Sequence, residues 1–110
     1  MKSKSANHGV VLVTVASLEP GEAIASSLLN ERLVACVNLF PVTSLYLWQG
    51  KVNQDREYQL VIKTDLNKFT ELATRIETLH NYEVPEIIAL PVVTGSESYL
   101  GWIDESLAQQ

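Results

Sequence analysis

At 110 residues with a net charge of −5, the chain is long enough for one domain with a real core and too short for two. Its 46% hydrophobic and 19% charged residues exclude a disordered chain, and its eight Lys and Arg are too scattered to track a nucleic-acid backbone. The single cysteine, Cys36, excludes an internal disulfide and fits a reducing compartment.

Residues 1–9 read as a flexible polar tail and 10–110 as the domain. Lys2 and Lys4 ahead of the apolar run 10–16 outline a minimal secretion signal. That run is short, contains Thr14 and lacks a small-x-small cleavage site, so it reads as a first strand instead. Its β-branched content, Val10-Val11-Leu12-Val13-Thr14-Val15, agrees. Pro20 suits an early helical position, and Ile24, Ala25, Leu28 and Leu29 mark the apolar face of a helix running to about Arg32. Residues 36–48 form a long second strand, in which Pro41 predicts a bulge or bend. Gln49-Gly50-Lys51 is a turn, and 52–64 returns as a third strand. Asp65 or Asn67 caps a second helix carrying Phe69, Leu72, Ala73, Ile76 and Leu79 at helical spacing. A fourth strand over 87–93 and a short terminal helix over 99–108 complete the chain, the helix with Tyr99, Trp102, Ile103 and Leu107 on its apolar side. No segment approaches the ~20 apolar residues of a membrane span.

This order is that of an α+β, ferredoxin-like split β-α-β (βαββαβ) sandwich with a long β2–β3 hairpin and a short C-terminal helix. Right-handed crossovers place the first two helices on one face of the sheet. The first strand is nevertheless apolar on both faces: Val10 and Leu12 point one way, Val11, Val13 and Val15 the other. Each large apolar side chain left in water forgoes about 1.5–3 kcal/mol, so the second face is expected to be buried by another copy of the chain. The hairpin far exceeds the ~5–6 residue strand norm and is expected to reach onto a neighbour.

The residues in this order resemble the CutA family of divalent-cation-tolerance proteins. The resemblance runs from about Val10 to Leu107. It is carried by Leu12-Val13-Thr14, Arg32-Leu33-Val34-Ala35-Cys36-Val37-Asn38, Ser44-Leu45-Tyr46-Leu47-Trp48-Gln49-Gly50-Lys51 and Glu57-Tyr58. Further on, Ile62-Lys63-Thr64, His80-Asn81-Tyr82-Glu83-Val84-Pro85-Glu86-Ile87 and Tyr99-Leu100-Gly101-Trp102-Ile103 continue it. The resemblance implies a compact homotrimer, a cytoplasmic location and a link to tolerance of copper and other divalent metals. Some family members place a cysteine on the first strand and a second histidine beside the one matching His80, as proposed copper ligands. Val13 and Leu79 stand at those positions here.

Candidate chemistry concentrates between Leu79 and Pro91, where a helix gives way to a polar, aromatic turn and then to a strand. The soft ligands are few: Met1, His8, Cys36 and His80, with no C-x-x-C or H-x-x-x-H spacing. The topology sets Cys36 and His80 at opposite ends of one subunit. Given the metal tolerance that the resemblance implies, the expected metal ligands are His80 with Glu57 and Glu86, which should sit near the same end, holding Cu2+ or another divalent cation with low affinity. His80 also has a purely structural reading, as a helix-terminal histidine bonded to a carbonyl. Cys36 reads as a small buried hydrophobe with no His or Lys beside it to activate it. Trp48, Lys63 and Tyr82 are candidate ligand-binding residues in clefts between subunits, as in the PII-type signalling regulators that share trimeric ferredoxin-like architecture. No nucleophile–base pair, no pair of carboxylates in contrasting environments and no phosphate loop is evident, so an enzyme and an organic cofactor are not expected. The expected partners are other copies of the chain and metal ions.

Overall fold

The computed structural model describes residues 6–108. Strand β1 (His8–Val15) is followed by helix α1 (Leu18–Asn30), then strands β2 (Cys36–Trp48) and β3 (Lys51–Asp65). A 3-10 turn (Leu66–Lys68) leads into helix α2 (Phe69–Leu79), and strand β4 (Ile88–Pro91) and helix α3 (Glu97–Ala108) end the chain. The sheet order is β2-β3-β1-β4 with every adjacent pair antiparallel, which makes β1 and β2 parallel. This is the split β-α-β order anticipated from the sequence.

Local chemistry accounts for the element ends. Pro20 occupies the first turn of α1, where its missing N–H costs no helical bond. Asp65 caps the turn before α2: its side chain accepts the Asn67 amide at 2.9 Å. Trp48 pairs with Lys51, and the two residues between them, Gln49 and Gly50, both have positive φ (53° and 77°). That is the tight turn whose twist matches a hairpin, and glycine meets the second left-handed position without strain.

Both α1 and α2 pack on one face of the sheet. Val11, Val13, Val15, Leu60 and Ile62 meet Ile24, Leu28, Leu72 and Ile76 in a single buried core. Beyond the end of β1 the hairpin continues alone, giving the molecule an elongated 54 × 26 × 22 Å outline. Leu45, Leu47 and Val52 near its tip are 65–74% exposed.

Three expectations are corrected. The tail boundary at residue 9 falls inside β1, because His8 and Gly9 already pair with Asp65 and Thr64; residues 1–5 lie outside the described residues. The register of β2 against β3 runs unbroken through Pro41, so no bulge forms there; β2 is an edge strand, where a residue without an N–H is tolerated. The second sheet face is not left wholly to another copy. Helix α3 lies over one end of it: Asp104 meets the His8 ring at 2.8 Å, Tyr99 lies beside Cys36, and Ile103 is 2% exposed outside the main core. The rest of that face, with Phe40, Ile88 and Leu90, stays exposed.

Candidate functional site

The site is built where β1 ends, β4 begins and the hairpin projects. His80 terminates α2, its amide donating to the Ile76 carbonyl at 2.9 Å. The Thr14 carbonyl lies 2.7 Å from His80 Nε2, and the Tyr82 amide donates to Nδ1 at 3.0 Å. A carbonyl only accepts and an amide N–H only donates, so the ring is the neutral Nε2–H tautomer. β4 stops opposite Leu12, two residues short of Thr14, and His80 supplies a donor beyond the strand's end.

The same turn carries Tyr82 onto β3. Its hydroxyl donates to Glu57 Oε2 at 2.6 Å, and its ring lies 4.7 Å from that of His80. Burial, then the Glu57 carboxylate as hydrogen-bond acceptor and as a charge, pushes the Tyr82 phenol well above its ordinary ionisation range. Gln59, two residues along, donates from its side chain to Glu86 Oε2 at 3.2 Å and to the Val13 carbonyl at 3.1 Å. Glu57 also walls a groove of about 330 Å³ together with Ser17, Thr43, Arg56 and Tyr58. A smaller cavity of about 170 Å³ lies behind, between α1 and the 79–82 turn.

His80, Tyr82, Glu57 and Glu86 thus stand at one end of the chain, whereas Trp48 and Lys63 do not join them. Lys51, the partner of Trp48, and Lys63 each stand six positions from Glu57 along β3, in opposite directions. At ~3.3 Å per residue that is about 20 Å each way. Lys63 instead donates to Asn38 and lies directly across the ladder from Cys36. The cysteine therefore has a lysine neighbour that the linear sequence does not reveal. Cys36 lies, as the topology required, at the end away from His80, among the strand ends that hold His8.

A divalent ion does not fit the donors of one chain. Both His80 ring nitrogens are engaged, and Glu57 and Glu86 each already accept a hydrogen bond. Among the described residues, no three His, Cys, Asp or Glu side chains converge to hold a metal ion. Sequence reasoning missed two members of the site. Gln59 was signalled only as a polar residue within the apolar run Tyr58–Ile62, and Thr14 contributes a backbone carbonyl that has no sequence signature.

Residues 9–106 match the family described as CutA1 divalent ion tolerance protein, and the chain belongs to that family. It is 49% identical over 98 residues to the divalent-cation tolerance protein CutA of Thermus thermophilus, covering 88% of this chain and 95% of that protein. The structure of the periplasmic divalent cation tolerance protein CutA from Archaeoglobus fulgidus superposes with a TM-score of 0.89 at 39% identity, over 91% of this chain and 98% of that one. The chloroplastic protein CutA of Arabidopsis thaliana is 44% identical over 105 residues, which is 94% of this chain and 58% of that longer protein. These relatives occupy different compartments, so family membership does not by itself put this chain in the cytoplasm. Among the described residues no helix is long and apolar enough to cross a membrane.

Proposed function

We propose that the protein serves divalent-cation tolerance as a homotrimer with a binding rather than a catalytic role, and that its working sites lie in clefts between copies. One observation carries this reading. The carboxylate of Glu57 sits at the foot of a hairpin whose Leu45, Leu47, Trp48 and Val52 are 55–74% exposed, a surface suited to a second copy. In this reading a cation, copper foremost, is held weakly by carboxylate oxygens of Glu57 and Glu86 with donors from the neighbour. The free thiol of Cys36 supports a reducing, cytoplasmic setting.

The test combines light scattering with calorimetric titration of Cu2+. The expected result is a trimer that binds weakly, with binding lost in Glu57→Gln and in a Leu45→Glu/Leu47→Glu variant that no longer assembles. A wild-type monomer at micromolar concentration, or unchanged binding in Glu57→Gln, refutes the proposal. The groove beside Glu57 favours a second reading, a PII-like module for a small organic ligand, because about 330 Å³ falls within the usual ligand-pocket range of roughly 300–1,000 Å³. Organic density in that groove in crystals grown from cell extract, with no binding of Cu2+ in solution, is the outcome that selects it.

A further inference from the structure

The fold places a hydrogen-bonded strap across the end of β1. It starts at the Thr14 carbonyl, passes through both nitrogens of His80 to the Tyr82 amide, and ends where the Tyr82 hydroxyl reaches Glu57 on β3. Every link is 3.0 Å or shorter, and Thr14 is only 8% exposed. We propose that His80 is a positioning residue: held as the Nε2–H tautomer between the Thr14 carbonyl and the Tyr82 amide, it keeps the Tyr82 phenol on Glu57 and offers no ring nitrogen to a cation.

Three features carry the assignment. The partners of the ring are both backbone groups of fixed polarity, so the tautomer follows from geometry alone. A cation at Nδ1 needs the lone pair that accepts the Tyr82 amide, and a cation at Nε2 needs loss of the proton given to Thr14. Either event leaves a backbone group without its partner and releases the turn that carries Tyr82. The His80 and Tyr82 rings are also in contact, their centroids 4.7 Å apart and their planes tilted by 45°. Because Glu57 Oε2 is engaged by the phenol, the strap fixes which carboxylate edge faces the groove.

The inference rests on the reading of Glu57 as a ligand-facing carboxylate, and the experiment separates the two. Full-length protein labelled with 15N and 13C is followed by NMR of the His80 ring nitrogens and the Glu57 carboxyl carbon, with and without Zn2+ as a diamagnetic probe. The expected result is an Nε2–H pattern for His80 that Zn2+ does not change. His80→Ala should shift the Glu57 carboxyl and lower Zn2+ affinity by about 10-fold or more. His80→Asn, whose side-chain oxygen can still accept the Tyr82 amide, should recover most of both. In a Tyr82→Phe background His80→Ala should add nothing further, since the path is already cut. Ring nitrogens that shift with Zn2+, or a His80→Asn protein as impaired as His80→Ala, overturn the proposal. Absence of any Zn2+ binding in wild type counts against the functional reading of Glu57, while the tautomer and the carboxyl shift still decide the role of His80.

Discussion

The hydroxyl of Thr64 donates to the Leu33 carbonyl at 2.7 Å, joining β3 to the segment between α1 and β2 at a point with no solvent exposure. A threonine within an apolar strand is tolerated there because its polar atom has a partner. Thr64→Val keeps the shape and leaves the carbonyl unpaired. The expected loss is about 1–3 kcal/mol, seen as a lower urea midpoint with an unchanged slope. A midpoint equal to wild type refutes this role.

Arg32 follows α1 with φ of 59°, and the amides of Arg32 and Leu33 donate to the carbonyls of Leu29 and Leu28, each at 3.1 Å. That is a helix stop that normally uses glycine. The guanidinium compensates in part, donating from Nη1 to the Leu29 carbonyl at 3.1 Å, while its buried Nε has no partner among the described residues. Replacement by alanine keeps the left-handed strain and loses the side-chain bond; replacement by glycine removes the strain. Arg32→Gly is therefore expected to be more stable than Arg32→Ala by about 1 kcal/mol. Thermal melts of the two variants side by side check the order.

Gly9 pairs with Thr64, and a Cβ on it would fall within the side chain of Leu66. Gly9→Ala should cost about 1–3 kcal/mol as the leucine is displaced. In a Leu66→Ala background the added methyl finds room, so the two changes should couple by more than about 0.5 kcal/mol. Strict additivity in a double-mutant cycle would show that the contact is not made.

The raised ionisation of Tyr82 has a consequence in alkali. Its ordinary value is 10.0 and its folded value lies higher, through burial first and the Glu57 carboxylate second. Stability from this group is fully present below pH 10 and falls as pH rises, because the unfolded chain loses the proton while the folded one keeps it. Tyr82→Phe should flatten the alkaline limb of the stability curve above about pH 10 and leave the neutral region's slope unchanged. Chemical denaturation across pH 8–11 reads this out; parallel alkaline limbs in the two proteins contradict it.

The element order was legible because strand alternation and helix spacing are local signals. Period alone sets Val11, Val13 and Val15 on one face of β1, though that strand is apolar on both faces, and it marks Phe69, Leu72 and Ile76 as the apolar side of α2. What was not legible depends on partners. The spacing of Tyr99, Trp102 and Ile103 shows that α3 has an apolar side, but not that it settles beside Cys36 and His8. The separation of Trp48 and Lys63 from Glu57 follows from a hairpin register that the linear sequence leaves open. The sequence around His80 suits both a ligand and a helix-terminal bond maker; the structure shows the bond, and its partners are backbone groups common to every residue type.

The two-residue turn at Gln49-Gly50 also bears on the order in which the sheet assembles. Strands β2 and β3 close over almost no intervening chain, so their pairing carries little loop entropy. Strand β1 must find β3 and β4 across distant parts of the sequence, and β1 is the strand that β4 needs as its edge. Folding is thus expected to start from the hairpin and to seat β1 and β4 late. Mutations at Leu39 and Leu60, on the hairpin, should slow folding, whereas mutations at Val11 and Ala89 should mainly speed unfolding. The reverse pattern would place the nucleus at the opposite edge of the sheet.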